Sequence, residues 1–270
     1  RVSIDLMSHD HERPLPICGT VLKKAHEVLL AGARGTDKGR GKYRRMQNLI
    51  GVEGCTEADS RFVPIAPDEL ENGMARWEEY VNDDQQPDPL VQLAIIHAEF
   101  EALHPFFDGN GRLGRMLIPL FLYSREILPA PTFYLSEYIE EHRQEYVDRL
   151  REISRSDDWT GWCEFFLKAL AAQGKRNAAK ADGIRELYDE KKEWVQKEIS
   201  VKNFTPGLDF IFEQVNFTAT TFMKKTKYTS ATGGRFLREC EDKGLLRCTK
   251  TAGGRTPASY SFKELRELIE

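Results

Sequence analysis

Cysteine is scarce in this chain and follows no pattern. The 270 residues hold five cysteines, Cys18, Cys55, Cys163, Cys240 and Cys248. The number is odd, the spacings are scattered and no C-x-x-C pair occurs. This argues against a disulfide framework or a zinc site and predicts reduced thiols. Long apolar runs are missing as well: none reaches 18 residues and no signal peptide is visible, which predicts a cytoplasmic protein and no membrane partner. An excess of one charge is also lacking. With 39 Lys plus Arg against 43 Asp plus Glu, the net charge is −4, so attraction to nucleic acid or membrane must be local if it occurs. There is no internal repeat and no low-complexity tract. The hydrophobic share of 40% and the charged share of 30% are those of a globular protein, and the length suits one large domain plus a smaller one.

Against this plain background one string stands out. Residues 104–115 read H-P-F-F-D-G-N-G-R-L-G-R. His104 is a titratable imidazole that can accept a proton near neutral pH. Asp108 is a hard oxygen donor of the kind Mg²⁺ shares with phosphates. Gly109, Asn110 and Gly111 all tolerate positive φ and can turn backbone N–H groups toward an anion. The apolar run Leu113, Met116, Leu117, Ile118, Leu120 and Phe121 predicts a buried helix, whose N-terminus would face the same anion. Arg112 and Arg115 lie three apart on it and can both reach a phosphate chain. Two arginines beside a carboxylate on an otherwise apolar helix are costly without anionic partners.

The rest of the chain divides into three parts by pattern. Residues 1–174 form the first part, mostly helical from about residue 14. Val21, Leu22, Ala25, Val28 and Leu29 recur at helical spacing, Pro67 and Asp68 open a helix through Met74, Trp77 and Val81, and Pro89 opens one that runs into the string. An acidic helix starts at Ser136, and Trp159 through Leu170 form another. Residues about 41–67 are the exception. Tyr43–Gly51 and Arg61–Pro64 are two short extended runs separated by glycines, a hairpin signal with a long loop. Residues 175–204 are highly charged and predict a solvated connecting helix. Residues 205–270 predict three helices (Phe210–Val215, Thr218–Tyr228, Thr229–Cys240) and two strands, one beginning at Gly244 and one from Ala258 to Phe262.

The dodecapeptide is similar to the signature of the Fic family, H-P-F-x-[DE]-G-N-G-R-x-x-R, at every specified position. The flap string resembles that family's G-x-[FY]-R-x-x-Q-N-x-I-G and A-R-[FY]-V-P. Further likeness covers residues about 14–174 through Leu135–Tyr138, Arg143, Glu145, Tyr146, Asp158, Trp159, Trp162, Phe165 and Phe166. The resemblance implies a mainly α fold, a helical bundle with a β-hairpin flap, followed by a small winged-helix domain at 205–270. It implies a protein adenylyltransferase that moves AMP from ATP to a Ser, Thr or Tyr hydroxyl of a target protein and releases pyrophosphate. His104 would be the base, and Asp108 would hold Mg²⁺. Gly109, Asn110, Gly111, Arg112, Leu113, Gly114 and Arg115 would cradle the phosphates. Tyr138 and Tyr146 would border the base, although His142 and Val147 depart from the common Asn and Tyr there; ordinary helix packing explains both tyrosines equally well. Asn48, Leu49, Ile50 and Gly51 of the flap would hold an extended target segment by strand pairing; a plain structural hairpin is the alternative on residues alone.

The implied partners are ATP, a target protein, the chain itself as a substrate of self-modification, and a second copy in a homodimer. Many relatives carry an inhibitory helix bearing [ST]-x-x-x-E-[GN]. The nearest string here, Ser8–Glu12, is followed by Arg13 and lies too close to the signature, so it reads as a chance match and the inhibitory helix is expected upstream of Arg1. Two alternatives stand beside AMP transfer. One is a relative that transfers UMP or phosphocholine, which these residues do not separate from AMP; the intact Gly-Asn-Gly-Arg turn argues against the phosphorylating branch. The other is a regulator that binds DNA through Lys224, Lys225, Lys227, Arg235 and Arg238.

Overall fold

Asp88 shows how locally this fold is specified. Its Oδ1 accepts the N–H groups of Leu90 and Val91 at 2.8 and 3.2 Å, and Pro89 occupies the first helical position, so the helix Pro89–Leu103 starts there and nowhere else. The computed structural model describes residues 16–31, 39–51, 56, 60–253 and 256–269; the Ser8–Glu12 string lies outside them. The chain divides into two compact units, Arg1–Gly174 and Lys175–Glu270.

The first unit is helical. Helix α1 (Gly19–Leu29) buries Leu22, Ala25 and His26. Helix α2 (Leu70–Asn82) buries Leu70, Met74, Trp77 and Val81, the stripe of an amphipathic helix. It begins at Leu70 rather than at Pro67, because residues 67–69 form a turn. Helix α3 is Pro89–Leu103, and its buried residues Leu93, Ala94, Ile96, His97, Ala98 and Phe100 surround its axis. Helix α4 (Asn110–Ser124) lies against it through Gly114, where a Cβ would stand 2.4 Å from Glu101 Oε1 and 3.3 Å from the Phe100 ring. Helices α5 (Ser136–Glu141) and α6 (Arg143–Ser156) follow. Helix α7 (Trp159–Glu198) is continuous through the charged stretch that was expected to form a separate connector. Trp162 is fully buried and donates its indole N–H to Ala94 O at 2.8 Å.

The flap is sparser than the expected hairpin. Its two runs meet in one antiparallel bridge, Ile50 with Phe62; residues 52–55 and 57–59 lie outside the described part.

The second unit has its own core, including Val195, Leu208, Ile211, Phe222, Phe236, Leu237, Phe262 and Leu265. Helices α8 (Thr205–Glu213), α9 (Ala219–Thr226) and α10 (Ser230–Asp242) correspond to the three expected ones, α8 starting at Thr205 rather than Phe210 and ending before Val215. Thr218 and Thr229 cap α9 and α10, each accepting an N–H on its side-chain oxygen at 3.2 Å. The sheet has three antiparallel strands where two were expected: β1 (Asn216–Thr218), β2 (Arg247–Lys250) and β3 (Ser259–Ser261), in the order β1-β3-β2. Three residues between two helices are too few for an alternation signal, which hid β1. Strand β2 starts at Arg247 rather than Gly244, because Gly244 takes φ 83° and Leu246 N–H bonds back to Cys240 O at 3.0 Å, finishing the turn after α10. Helix α11 (Lys263–Ile269) ends the described chain.

The molecule is thus mainly α with one small sheet. Among the described residues Cys18, Cys163, Cys240 and Cys248 are free thiols, and no helix is long and apolar enough to cross a membrane.

Candidate active site

The end of α3 sets up the site. His104 is the residue after the helix, in the left-handed region at φ 45°, ψ 57°, a conformation that costs a non-glycine side chain and needs outside support. The support comes from the flap. Arg44, only 5% exposed, donates Nε–H to His104 O at 3.0 Å and Nη2–H to Leu103 O at 3.3 Å. It also donates to Ile65 O and to Met46 O. A buried guanidinium without a carboxylate is unusual, but this one sits at a helix C-terminus, where unpaired carbonyls and the macrodipole favour a cation. The backbone adds a further tie, Arg44 N–H to Pro105 O at 2.9 Å.

The imidazole of His104 is half-buried. Its Nδ1 lies 3.4 Å from Glu101 O. A carbonyl can only accept, so Nδ1 carries the proton and Nε2 is left as the acceptor. Burial pulls its pKa down to about 4, with Arg44 adding to the pull while the Glu101 contact and Asp108 oppose it. At neutral pH it is therefore an uncharged base.

The turn that follows is built from its own side chains. Asn110 is 1% exposed and brackets Phe106, accepting its N–H on Oδ1 at 2.8 Å and donating Nδ2–H to its carbonyl at 2.7 Å. Asn48 of the flap donates to the same carbonyl at 3.3 Å. Of Gly109, Asn110 and Gly111, only Gly109 takes positive φ, at 81°. Asn110 and Gly111 already belong to α4. The expectation that all three turn the backbone is corrected accordingly: Asn110 is fixed by its bracket, and Gly111 leaves room for Arg115, whose Nη1 would be 3.3 Å from a Cβ there. Asp108 Oδ1 accepts Gly109 N–H at 2.7 Å.

Helix α4 begins on Gly109 with no side-chain cap, so its first N–H groups and the positive end of its dipole are offered to an anion. Arg112 is exposed and Arg115 half-exposed. Neither makes an ion pair among the described residues. Leu113 and Gly114 are buried and act through packing.

The remaining sequence-predicted residues fall in two places. Ile50 forms the flap bridge, with Leu49 beside it half-exposed and Gly51 exposed. Tyr138 stacks on His142 with ring centres 4.0 Å apart. Tyr146 is 9% exposed and its hydroxyl lies 2.9 Å from His97 Nε2, which ties it into the core.

Three residues that matter here, His26, Arg44 and Glu101, lie outside the dodecapeptide. A histidine on the apolar stripe of α1 and a glutamate one turn before His104 were the available signals. Glu101 has a buried Oε1 with no hydrogen-bond partner. Burial pushes its carboxyl up to about 7, against an opposing pull from Arg115. A folded value above the ordinary 4.5 means that its contribution to stability is intact below about pH 4.5 and lost as pH rises through about 7. Glu101→Gln is therefore expected to be more stable than the parent at pH 8, by on the order of 2 kcal/mol, and equal to it near pH 4.5. Urea midpoints at the two pH values test this; parallel curves across that range refute it.

Comparison with known proteins bears on the family and the fold. The pattern of the Fic/DOC family matches residues 16–122. The protein adenylyltransferase fic-1 of Caenorhabditis briggsae is 32% identical over 108 residues, which is 37% of this chain and 20% of that protein. A probable protein adenylyltransferase of Aquifex aeolicus (strain VF5) is 29% identical over 93 residues, 34% of this chain and 27% of the relative. The chain thus spans about a fifth to a quarter of the length of the curated relatives it matches. A Fic family protein from Desulfovibrio desulfuricans G20 shares the fold, with a TM-score of 0.57 at 21% identity, over 97% of this chain and 72% of that one. Residues 16–122 of this chain form a Fic/DOC family domain.

Proposed function

We propose that the chain transfers AMP from ATP to a hydroxyl of a protein. The observation that carries this is the pairing of His104, held with Nε2 unprotonated, with the uncapped α4 N-terminus and two arginines that make no ion pair among the described residues. Such a site suits an attack on a phosphate chain. His104 Nε2 takes the proton of the acceptor hydroxyl as its oxygen bonds to the α-phosphorus. The bond from that phosphorus to the bridging oxygen breaks, and pyrophosphate leaves with its charge met by Arg112 and Arg115. Positioning and charge neutralisation supply most of the rate. Asp108, one carboxylate beside a phosphate-binding turn, fits the donor set that Mg²⁺ takes together with phosphate oxygens, and a cation held there would neutralise phosphate charge.

Exposed apolar side chains on both sides of the site support a protein target. Met46 and Val63 of the flap and Phe107 of the loop are 66%, 42% and 45% exposed, and the extended backbone of the flap around Ile50 is of the kind that takes part in strand addition. Of the two tyrosines, Tyr138 is half-buried and stacked on His142, and Tyr146 is held in the core. The second unit, with helices α8 to α11 and a small antiparallel sheet, fits a winged-helix module.

The test is to incubate the chain and candidate acceptors with ATP labelled at either the α- or the γ-phosphorus. Label retained from the α position alone supports AMP transfer. Label from the γ position alone overturns it in favour of phosphorylation, and transfer from UTP but not ATP overturns the choice of nucleotide.

A further inference from the structure

His26 is the other buried imidazole at this site, and its geometry is more constrained than that of His104. It lies on α1 with no exposed surface. Its Nδ1 accepts the backbone N–H of Gly41 at 3.0 Å, and its Nε2 faces the carbonyl of Asp108 at 2.9 Å. An amide N–H can only donate and a carbonyl can only accept, so one tautomer satisfies both: neutral, with the proton on Nε2. The ring stacks on Phe106 with centres 3.9 Å apart and planes 15° apart. Its Nε2 also lies 3.6 Å from where a Cβ of Gly109 would stand. Gly41, at φ 70°, begins the flap; Asp108 and Gly109 begin the anion turn. One side chain on α1 therefore joins two distant pieces of chain, 15 and 82 residues away from it.

We infer that His26 is a positioning residue that locks the Asp108–Gly109 turn in its phosphate-binding form through the Nε2–H bond, while its Nδ1 anchors the start of the flap. This rests on the reading of the site as nucleotide-binding. The two ring nitrogens carry separable duties. The Asp108 carbonyl sits on the peptide that leads into Gly109, so its bond sets the direction in which the Asp108 side chain and the first N–H groups of α4 leave the turn. The Gly41 bond acts on the flap alone. Phe106 contributes the flat apolar surface that holds the ring in plane between them.

Two near-isosteric variants divide those duties. The amide nitrogen of glutamine reaches the position of Nε2, so His26→Gln keeps a donor for Asp108 O. The amide oxygen of asparagine lies near Nδ1, so His26→Asn keeps an acceptor for Gly41 and loses the bond to the turn. Calorimetric titration with ATP and Mg²⁺ should show His26→Asn about tenfold weaker than the parent and His26→Gln within about threefold of it, as expected for one lost hydrogen bond. Equal weakening in both variants, equal affinity in all three proteins, or the reverse order overturns the assignment. A merely structural role would lower the melting temperature of both variants without separating their affinities. Nitrogen chemical shifts of the parent at pH 7 give a second readout that needs no variant: a protonated Nε2 and bare Nδ1 are expected, and the other tautomer refutes the proposal. A parent that binds no ATP overturns the functional reading instead, and the shifts then still decide whether His26 holds the turn.

Discussion

His104→Ala is expected to lower transfer of label from ATP to protein by roughly 100- to 10,000-fold, the usual range for loss of a positioned general base. ATP affinity should stay within about twofold. The two effects separate because the imidazole reaches toward the attacking hydroxyl, whereas the phosphates are met by α4 and its arginines. Its carbonyl, which Arg44 holds, belongs to the backbone and survives the substitution. The parent's pH profile carries the same assignment. With a pKa of about 4, depressed mainly by burial, His104 stays unprotonated well below the ordinary 6.5, so kcat/KM should persist at pH 5.5. An acid limb centred near 6.5 would point to an exposed imidazole, and full turnover in the Ala variant would remove His104 from the chemistry altogether. Stability must be followed in parallel, because His97 is held neutral in the core with its pKa lowered to about 4 by burial. The stability it contributes is present above about pH 6.5 and is lost as pH falls through 4.

Much of this arrangement was legible in the residues, for reasons that differ along the chain. The helices of the first unit announced themselves through strong punctuation, Asp88 and Pro89 above all, and through wide apolar stripes such as Leu70, Met74, Trp77 and Val81. The dodecapeptide was legible because its chemistry is compressed into one turn and one helix start. What escaped was anything assembled from distant pieces. Glu101 is distinguished only by its packing against Gly114 of α4, a contact that spacing does not reveal. His26 carries no signal of its own on the apolar face of α1; its role comes from its two nitrogens, which bridge Gly41 and Asp108. Asn110 was expected to turn the backbone, but it works by bracketing Phe106, a role that neither its type nor its spacing distinguishes. Strand β1 was lost between two helical patterns for the same reason that short strands are generally lost: three residues carry no period.

The largest effect on stability at the site is expected from Arg44. Arg44→Met keeps the length and most of the apolar stem but removes every donor to the carbonyls of Leu103, His104, Ile65 and Met46. Two of those carbonyls end α3, where they have no helical partner of their own, and burial denies them water. Hydrogen bonds from a charged group are worth about 1.5–3 kcal/mol, and a cation at a partly buried helix C-terminus adds up to about 2 kcal/mol. Relief of the cost of burying an unpaired guanidinium offsets part of this. The expected net loss is roughly 2–4 kcal/mol, a fall in melting temperature of about 5–15 °C for a unit of this size. Transfer should fall further than stability alone explains, because His104 holds its left-handed conformation only while its carbonyl is tied down. Arg44→Lys makes the decisive comparison. It restores the charge at the helix end but offers a single compact donor group where the fork reached four carbonyls. If the charge at the helix end is what matters, Lys should recover most of the melting temperature; if the geometry of the fork matters, it should recover stability in part and turnover hardly at all. The structure favours the second outcome, since the donors to His104 and Leu103 leave from different nitrogens of one rigid plane. An Arg44→Met protein as stable and as active as the parent would show that the flap and the catalytic loop hold their places without this clamp.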